Sequence, residues 1–68
     1  MAWLDKVKAA ILYEQERRSS NRPVSRYAIK RILNPLPREN YYINAALKRG
    51  VEKGALVKKR DSYRVASS

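Results

Sequence analysis

From Tyr42 to Leu56 the chain reads as an amphipathic helix that stops at Gly54 and runs directly into a strand. Ile43, Ala46, Leu47, Gly50 and Val51 recur at three- and four-residue intervals, so they share one helical face. Lys48 and Arg49 fall on the opposite face, with Lys53 at its edge. A helix striped in this way must bury its apolar side against other elements. Gly54 is the residue type that most readily takes the left-handed conformation just past a helix end. The helix therefore needs packing partners earlier in the chain, and the strand after it needs a hairpin partner.

Both can be read from the remaining residues. Trp3, Leu4, Val7, Ala10, Ile11 and Glu14 keep a 3–4 spacing that predicts a first helix over 2–17. Its early Asp5 and terminal Arg17-Arg18 suit the helix dipole. Ser19-Ser20-Asn21-Arg22-Pro23 breaks it, and Val24 is placed for a very short strand. Ser25 is an N-cap candidate for a second helix over 25–34, with Val24 and Ile29 spaced as a hydrophobic staple. Ile29, Ile32 and Leu33 supply its buried face. Asn34-Pro35-Leu36-Pro37 ends it, because proline disfavours a helical residue before it. Pro37 fits the first turn of a third helix over 37–53. Leu56–Lys59 and Tyr63–Ala66 alternate as strands about Arg60-Asp61-Ser62, a hairpin over 56–66 with Leu56, Tyr63 and Val65 toward the helices. The expected fold is mainly α with a small β-hairpin. It is a winged helix: a three-helix bundle of the helix-turn-helix kind with a C-terminal wing, one domain over 1–68. The third helix is its recognition helix by position.

Charge narrows the partner. The 68 residues carry sixteen Lys and Arg against six Asp and Glu, a net +10. Fourteen of the sixteen lie in 17–68 against Glu39, Glu52 and Asp61, a local net of +11, whereas 1–16 carry −1. Self-repulsion on this scale in a small domain points to an anionic partner, nucleic acid first. No apolar run approaches the roughly 20 residues of a membrane span, and no membrane role is expected. Cysteine and histidine are both absent. Disulfides, Cys- or His-ligated metal and histidine acid–base chemistry are thereby excluded. Glu14 and Glu16 point apart on a helix, and no nucleophile–base pair or phosphate-cradling glycine loop occurs. Neither an enzyme nor a cofactor is expected.

Tyr42-Ile43-Asn44-Ala45-Ala46-Leu47-Lys48-Arg49-Gly50-Val51-Glu52-Lys53-Gly54 resembles the third helix of linker histone globular domains, particularly fungal ones. Ser25-Arg26-Tyr27-Ala28-Ile29-Lys30-Arg31 is similar to the start of that family's second helix, and Tyr63-Arg64-Val65 to its last strand. The likeness covers about residues 4–66. It implies a nuclear, chromosomal winged helix that binds the nucleosome at the dyad and contacts linker DNA. The resemblance puts Lys48, with Arg49 adjacent, and Arg60 on a DNA-binding surface made by the third helix and the wing. It puts Arg31 and Arg64, with Arg17 and Arg18, on a second surface. Asn44 stands where the family commonly carries a basic residue. The wing, Lys58-Lys59-Arg60-Asp61-Ser62, is shorter than the family's and lacks its glycines.

The candidate DNA contacts are thus Lys48, Arg49, Asn44, Lys58, Lys59 and Arg60 on one surface. Arg17, Arg18, Arg26, Arg31 and Arg64 make up the other. Each has a plainer use. Helix C-terminal arginines compensate the dipole, and lysines on edge strands prevent sheet pairing. Glu52 is expected to pair with Arg49 or Lys48 rather than read cytosine. Trp3 and Tyr63 are expected in the core or at its rim, with one of Tyr41 and Tyr42 packing. The functional expectation is a monomer that binds double-stranded DNA without strong sequence preference and compacts chromatin. The alternatives are a sequence-specific winged-helix regulator and a winged-helix protein-interaction module.

Overall fold

A computed structural model of the chain describes residues 2–66. Its elements run α1 (Trp3–Arg18), β1 (Val24–Ser25), α2 (Arg26–Leu33), α3 (Glu39–Glu52), β2 (Leu56–Lys59) and β3 (Ser62–Val65). The strands form one antiparallel sheet in the order β1-β3-β2. Three helices with this sheet make the mainly α winged-helix arrangement that the residue pattern predicts. The very short strand expected at Val24 is real: Val24 lies opposite Tyr63 and Ser25 opposite Ser62. No described helix is long and apolar enough to cross a membrane, and no described group of side chains could hold a metal ion.

Local chemistry sets the boundaries. Ser19 ends α1 and Asn34 ends α2, both with positive φ. The Ala28 N–H donates to Ser25 Oγ at 3.2 Å, so the expected N-cap of α2 forms. Gly54 takes φ 77° after α3, as its position predicts. The start of α3 differs from expectation. Pro37 and Arg38 make a turn, and the helix begins at Glu39. The Glu39 carboxylate accepts the Leu36 N–H at 2.8 Å, while the Glu39 N–H donates to the Leu36 carbonyl. This reciprocal closure does the work of a capping box.

One core joins all six elements. Val7, Ala10 and Ile11 of α1 meet Val24, Ile29, Ile43, Ala46, Leu47, Leu56 and Tyr63. Burying an aliphatic side chain of this size contributes about 1.5–3 kcal/mol. A small domain has few such residues, so each matters. The tightest point is Gly50. A Cβ there would lie 2.5 Å from Leu56 Cδ1, 2.7 Å from Leu56 Cγ and 2.9 Å from Leu4 Cδ1. Only a hydrogen on Gly50 lets α3 approach both β2 and α1.

Gly50→Ala tests this approach. Alanine improves intrinsic helix propensity by about 1 kcal/mol. Overpacking a filled core costs about 1–3 kcal/mol. Because one of the clashes is with a branch carbon of buried Leu56, the second effect is expected to win. Urea denaturation should show a net loss of up to about 2 kcal/mol at unchanged m value.

Candidate nucleic-acid interface

The apolar stripe of α3 buries Ile43, Ala46, Leu47 and Gly50, which turns Tyr41, Asn44, Ala45, Lys48, Arg49 and Glu52 to solvent. Neighbouring residues on a helix point about 100° apart. Lys48 therefore stands near the middle of the exposed face with Tyr41, Ala45 and Glu52. Asn44 borders one flank. Arg49 turns to the other, toward α1, with Tyr42 and Lys53. The expected pairing of Glu52 does not occur: Glu52 makes no ion pair among the described residues. Its place C-terminal to Lys48 is the weaker order for a helical ion pair.

The wing is a two-residue hairpin. Lys59 lies opposite Ser62, leaving Arg60 and Asp61 as the turn, and Arg60 carries φ 58°. Positive φ at the first central position suits a primed hairpin turn, which favours glycine there. Arg60 thus holds its charge at the tip at a conformational cost of about 1–2 kcal/mol. Lys58 shares the face of Tyr63, its Nζ 6.0 Å from the ring centroid. Val57 lies opposite Arg64, on the face away from the helices. Arg64 lines a shallow depression with Arg22, Lys58 and Lys59; Arg22 lines the next one with Lys59 and Arg60.

The other expected surface is therefore not continuous. Arg64 sits with wing lysines on the outside of the sheet, whereas Arg17, Arg18 and Arg31 line a cleft between α1 and α2. The β2–β3 register makes the split, because it sets Arg64 opposite Val57 on the outer face of the sheet, beside Arg22. Arg26 belongs to neither group. Its N–H donates to the Asp61 carbonyl at 3.0 Å and its guanidinium lies 3.5 Å from the Asp61 carboxylate, tying α2 to the wing turn.

In the α1–α2 cleft, Glu14 is 3 % exposed. Both its oxygens accept from Arg17, each at 2.9 Å, and Arg18 pairs with Oε2. The Arg17 hydrogen bonds hold the Glu14 carboxyl below its ordinary range; burial opposes this, and the charges of Arg17 and Arg18 reinforce it. The same hydrogen bond raises the Arg17 pKa. Arg31, by contrast, has no acidic partner among the described residues.

The model of the linker histone H1 and H5 family matches residues 1–63. The chain belongs to the linker histone family. Neither curated proteins nor solved structures gave a match. Linker histones are non-enzymatic, DNA-binding proteins of nuclear chromatin. For this linker histone domain, the resemblance seen in the second and third helices agrees with the family match, which stops at Tyr63, before the rest of the last strand.

Residue patterns missed how strongly Glu14 engages the arginines. The signal was present: a glutamate on the apolar stripe followed by arginines three and four positions later. The Arg26–Asp61 tie had no such signal, since it needs the wing folded back on α2.

The depressed carboxyl of Glu14 sets the sign of a pH effect. An unfolded glutamate titrates near about 4.3. With the folded value below that, the Glu14 contribution is fully present above the unfolded value and is lost as pH falls through the folded one. Glu14→Gln should therefore lower stability at neutral pH and flatten the acid limb of a urea-midpoint profile. An unchanged acid limb would refute the assignment.

Proposed function

We propose that this linker histone domain binds double-stranded DNA through its phosphates, without strong sequence preference, and engages nucleosomal and linker DNA together. The supporting observation is that its cations stand on separate faces: Lys48 on α3, Arg22, Lys59, Arg60 and Arg64 on the outer sheet and wing, and Arg31 beside Arg17 and Arg18. One straight duplex cannot cover all three faces. Two DNA segments converging on a small domain can, and a nucleosome dyad with its linkers offers that arrangement. The domain acts as a monomer in the nucleus in this reading, with the second DNA segment in place of a second subunit.

The chemistry of α3 favours phosphate over base. Base readout needs hydrogen-bonding side chains that converge on base edges. The outward face supplies Lys48 and an unpaired Glu52, which repels phosphate, with the small Ala45 beside them. Asn44 is exposed but stands at the flank. Lysine and arginine on curved surfaces instead neutralise phosphates and release counterions. The paired Arg17 and Arg18 keep about half their side-chain surface open, 59 % and 49 %. They can still present N–H groups to phosphate while Glu14 orients them.

With about five phosphates contacted, log K against log salt should fall with a slope near −4.5. Lys48→Ala should reduce that slope by about 0.9 and weaken every duplex alike. Arg60→Gly should lower affinity while leaving stability nearly unchanged, because relief of the left-handed conformation offsets the greater freedom of the unfolded glycine chain. Gel shifts on nucleosomes should show tighter binding when linker DNA is present. Equal affinity for linker-free cores would overturn the two-segment reading, and a sharp motif selected from random duplexes would overturn phosphate reading.

A further inference from the structure

A groove between the N-terminal turn of α1 and the length of α3 from Tyr42 to Lys53 lies on the flank of α3 away from Asn44. Its volume is about 360 Å³, and Trp3, Leu4, Tyr42, Ala45, Arg49 and Lys53 line it. The Trp3 and Tyr42 rings stack at 6.2 Å, only 14° from parallel, and Tyr41 meets Tyr42 edge-on. Tyr41 and Tyr42 remain 71 % and 49 % exposed. Lys6 Nζ lies 4.3 Å from the centre of the Trp3 ring. No acidic side chain lines the groove. Its floor is thus apolar and its rim cationic.

We infer that this groove docks an acidic peptide segment by inserting a leucine-sized side chain between α1 and α3 while flanking carboxylates pair with Arg49 and Lys53. The volume suits one or two such side chains. Exposed aromatics beside an arginine are the residue types that anchor protein interfaces. The rim supplies charge complementarity to carboxylates, and an apolar groove between helices is a common seat for an amphipathic peptide. A duplex would meet the rim charges but leave the open apolar floor of the groove, beside the stacked rings, uncovered. Arg49 belongs to this groove more than to the Lys48 face, from which it is turned by about 100°. The inference is independent of duplex binding.

Trp3 is the single tryptophan and serves as the reporter. The probe is a synthetic peptide of about a dozen residues, rich in Asp and Glu with two central leucines. Its titration should change Trp3 emission saturably. Arg49→Glu and Lys48→Glu alter net charge equally, yet only the first should weaken the peptide, by about tenfold or more; Lys48→Glu should leave affinity within about twofold. Ala45→Asp, at another exposed position of the groove wall, should match Arg49→Glu. Replacing the leucines by alanine at unchanged peptide charge should abolish the emission change. Equal losses for the two charge reversals, or full binding of the alanine peptide, would overturn the proposal. So would a single-stranded oligonucleotide that reproduces the leucine-peptide signal and loses it in Arg49→Glu, because the groove would then serve nucleic acid.

Discussion

The close approach at Gly50 is the constraint on which the rest of the molecule depends. There α3 meets Leu56 of β2 and Leu4 of α1 without the spacing that any side chain would impose. A helix that must lie this near both a strand and another helix has one face left for solvent, and that face carries Lys48. The same approach positions the start of β2, so the hairpin begins where the core still holds it. Leu56 is then buried with Tyr63, and the wing extends outward from an anchored base. The orientation of the cationic helix and the placement of the wing are two outcomes of one packing event.

Charge in this domain is arranged as much by internal pairing as by repulsion. The count of sixteen cations overstates what is free to meet a polyanion. Arg17 and Arg18 both engage Glu14, and Arg26 engages Asp61. Glu14 is the only buried charged residue among those described, and its ion pairs compensate the loss of water. These pairings also orient guanidinium groups that would otherwise sample many rotamers, so less entropy remains to be lost on binding. Cations outside these pairs include Lys48 on the face of α3, Arg22, Lys59 and Arg64 by the outside of the sheet, and Arg31. Internal carboxylates thus divide the basic residues into braced and free groups.

Most of the architecture could be read from local residue chemistry because each element carries its own signals. Periodicity marks all three helices, Ser25 caps α2, Gly54 closes α3, and alternation marks the hairpin. The misreadings arise where a side chain reaches outside its own element or a boundary is shared. Helix α3 starts at Glu39 because a carboxylate closes back on Leu36, which a proline rule alone does not foresee. Arg64 faces outward with the wing because the β2–β3 register sets it opposite Val57, away from the α1–α2 cleft. The α1–α3 groove exists only once the start of α1 is laid along the flank of α3. Charge pattern and family likeness nominate the candidate site residues, but their grouping into faces is a tertiary property.

The tie between Arg26 and Asp61 has a consequence for how the domain opens. Val24 and Ser25 complete the sheet from across two helices and a strand of the sequence, and the next backbone N–H is bonded to the wing turn. The wing is therefore not an appendage that can fray while the bundle stays intact. Detaching β3 would expose Val24 and Tyr63 together and remove a bond from the first residue of α2. Local opening free energies in proteins range from near zero at frayed edges up to the global value. The turn that presents Arg60 to solvent is thus tied to the bundle through β1 and the first residue of α2, above the frayed limit.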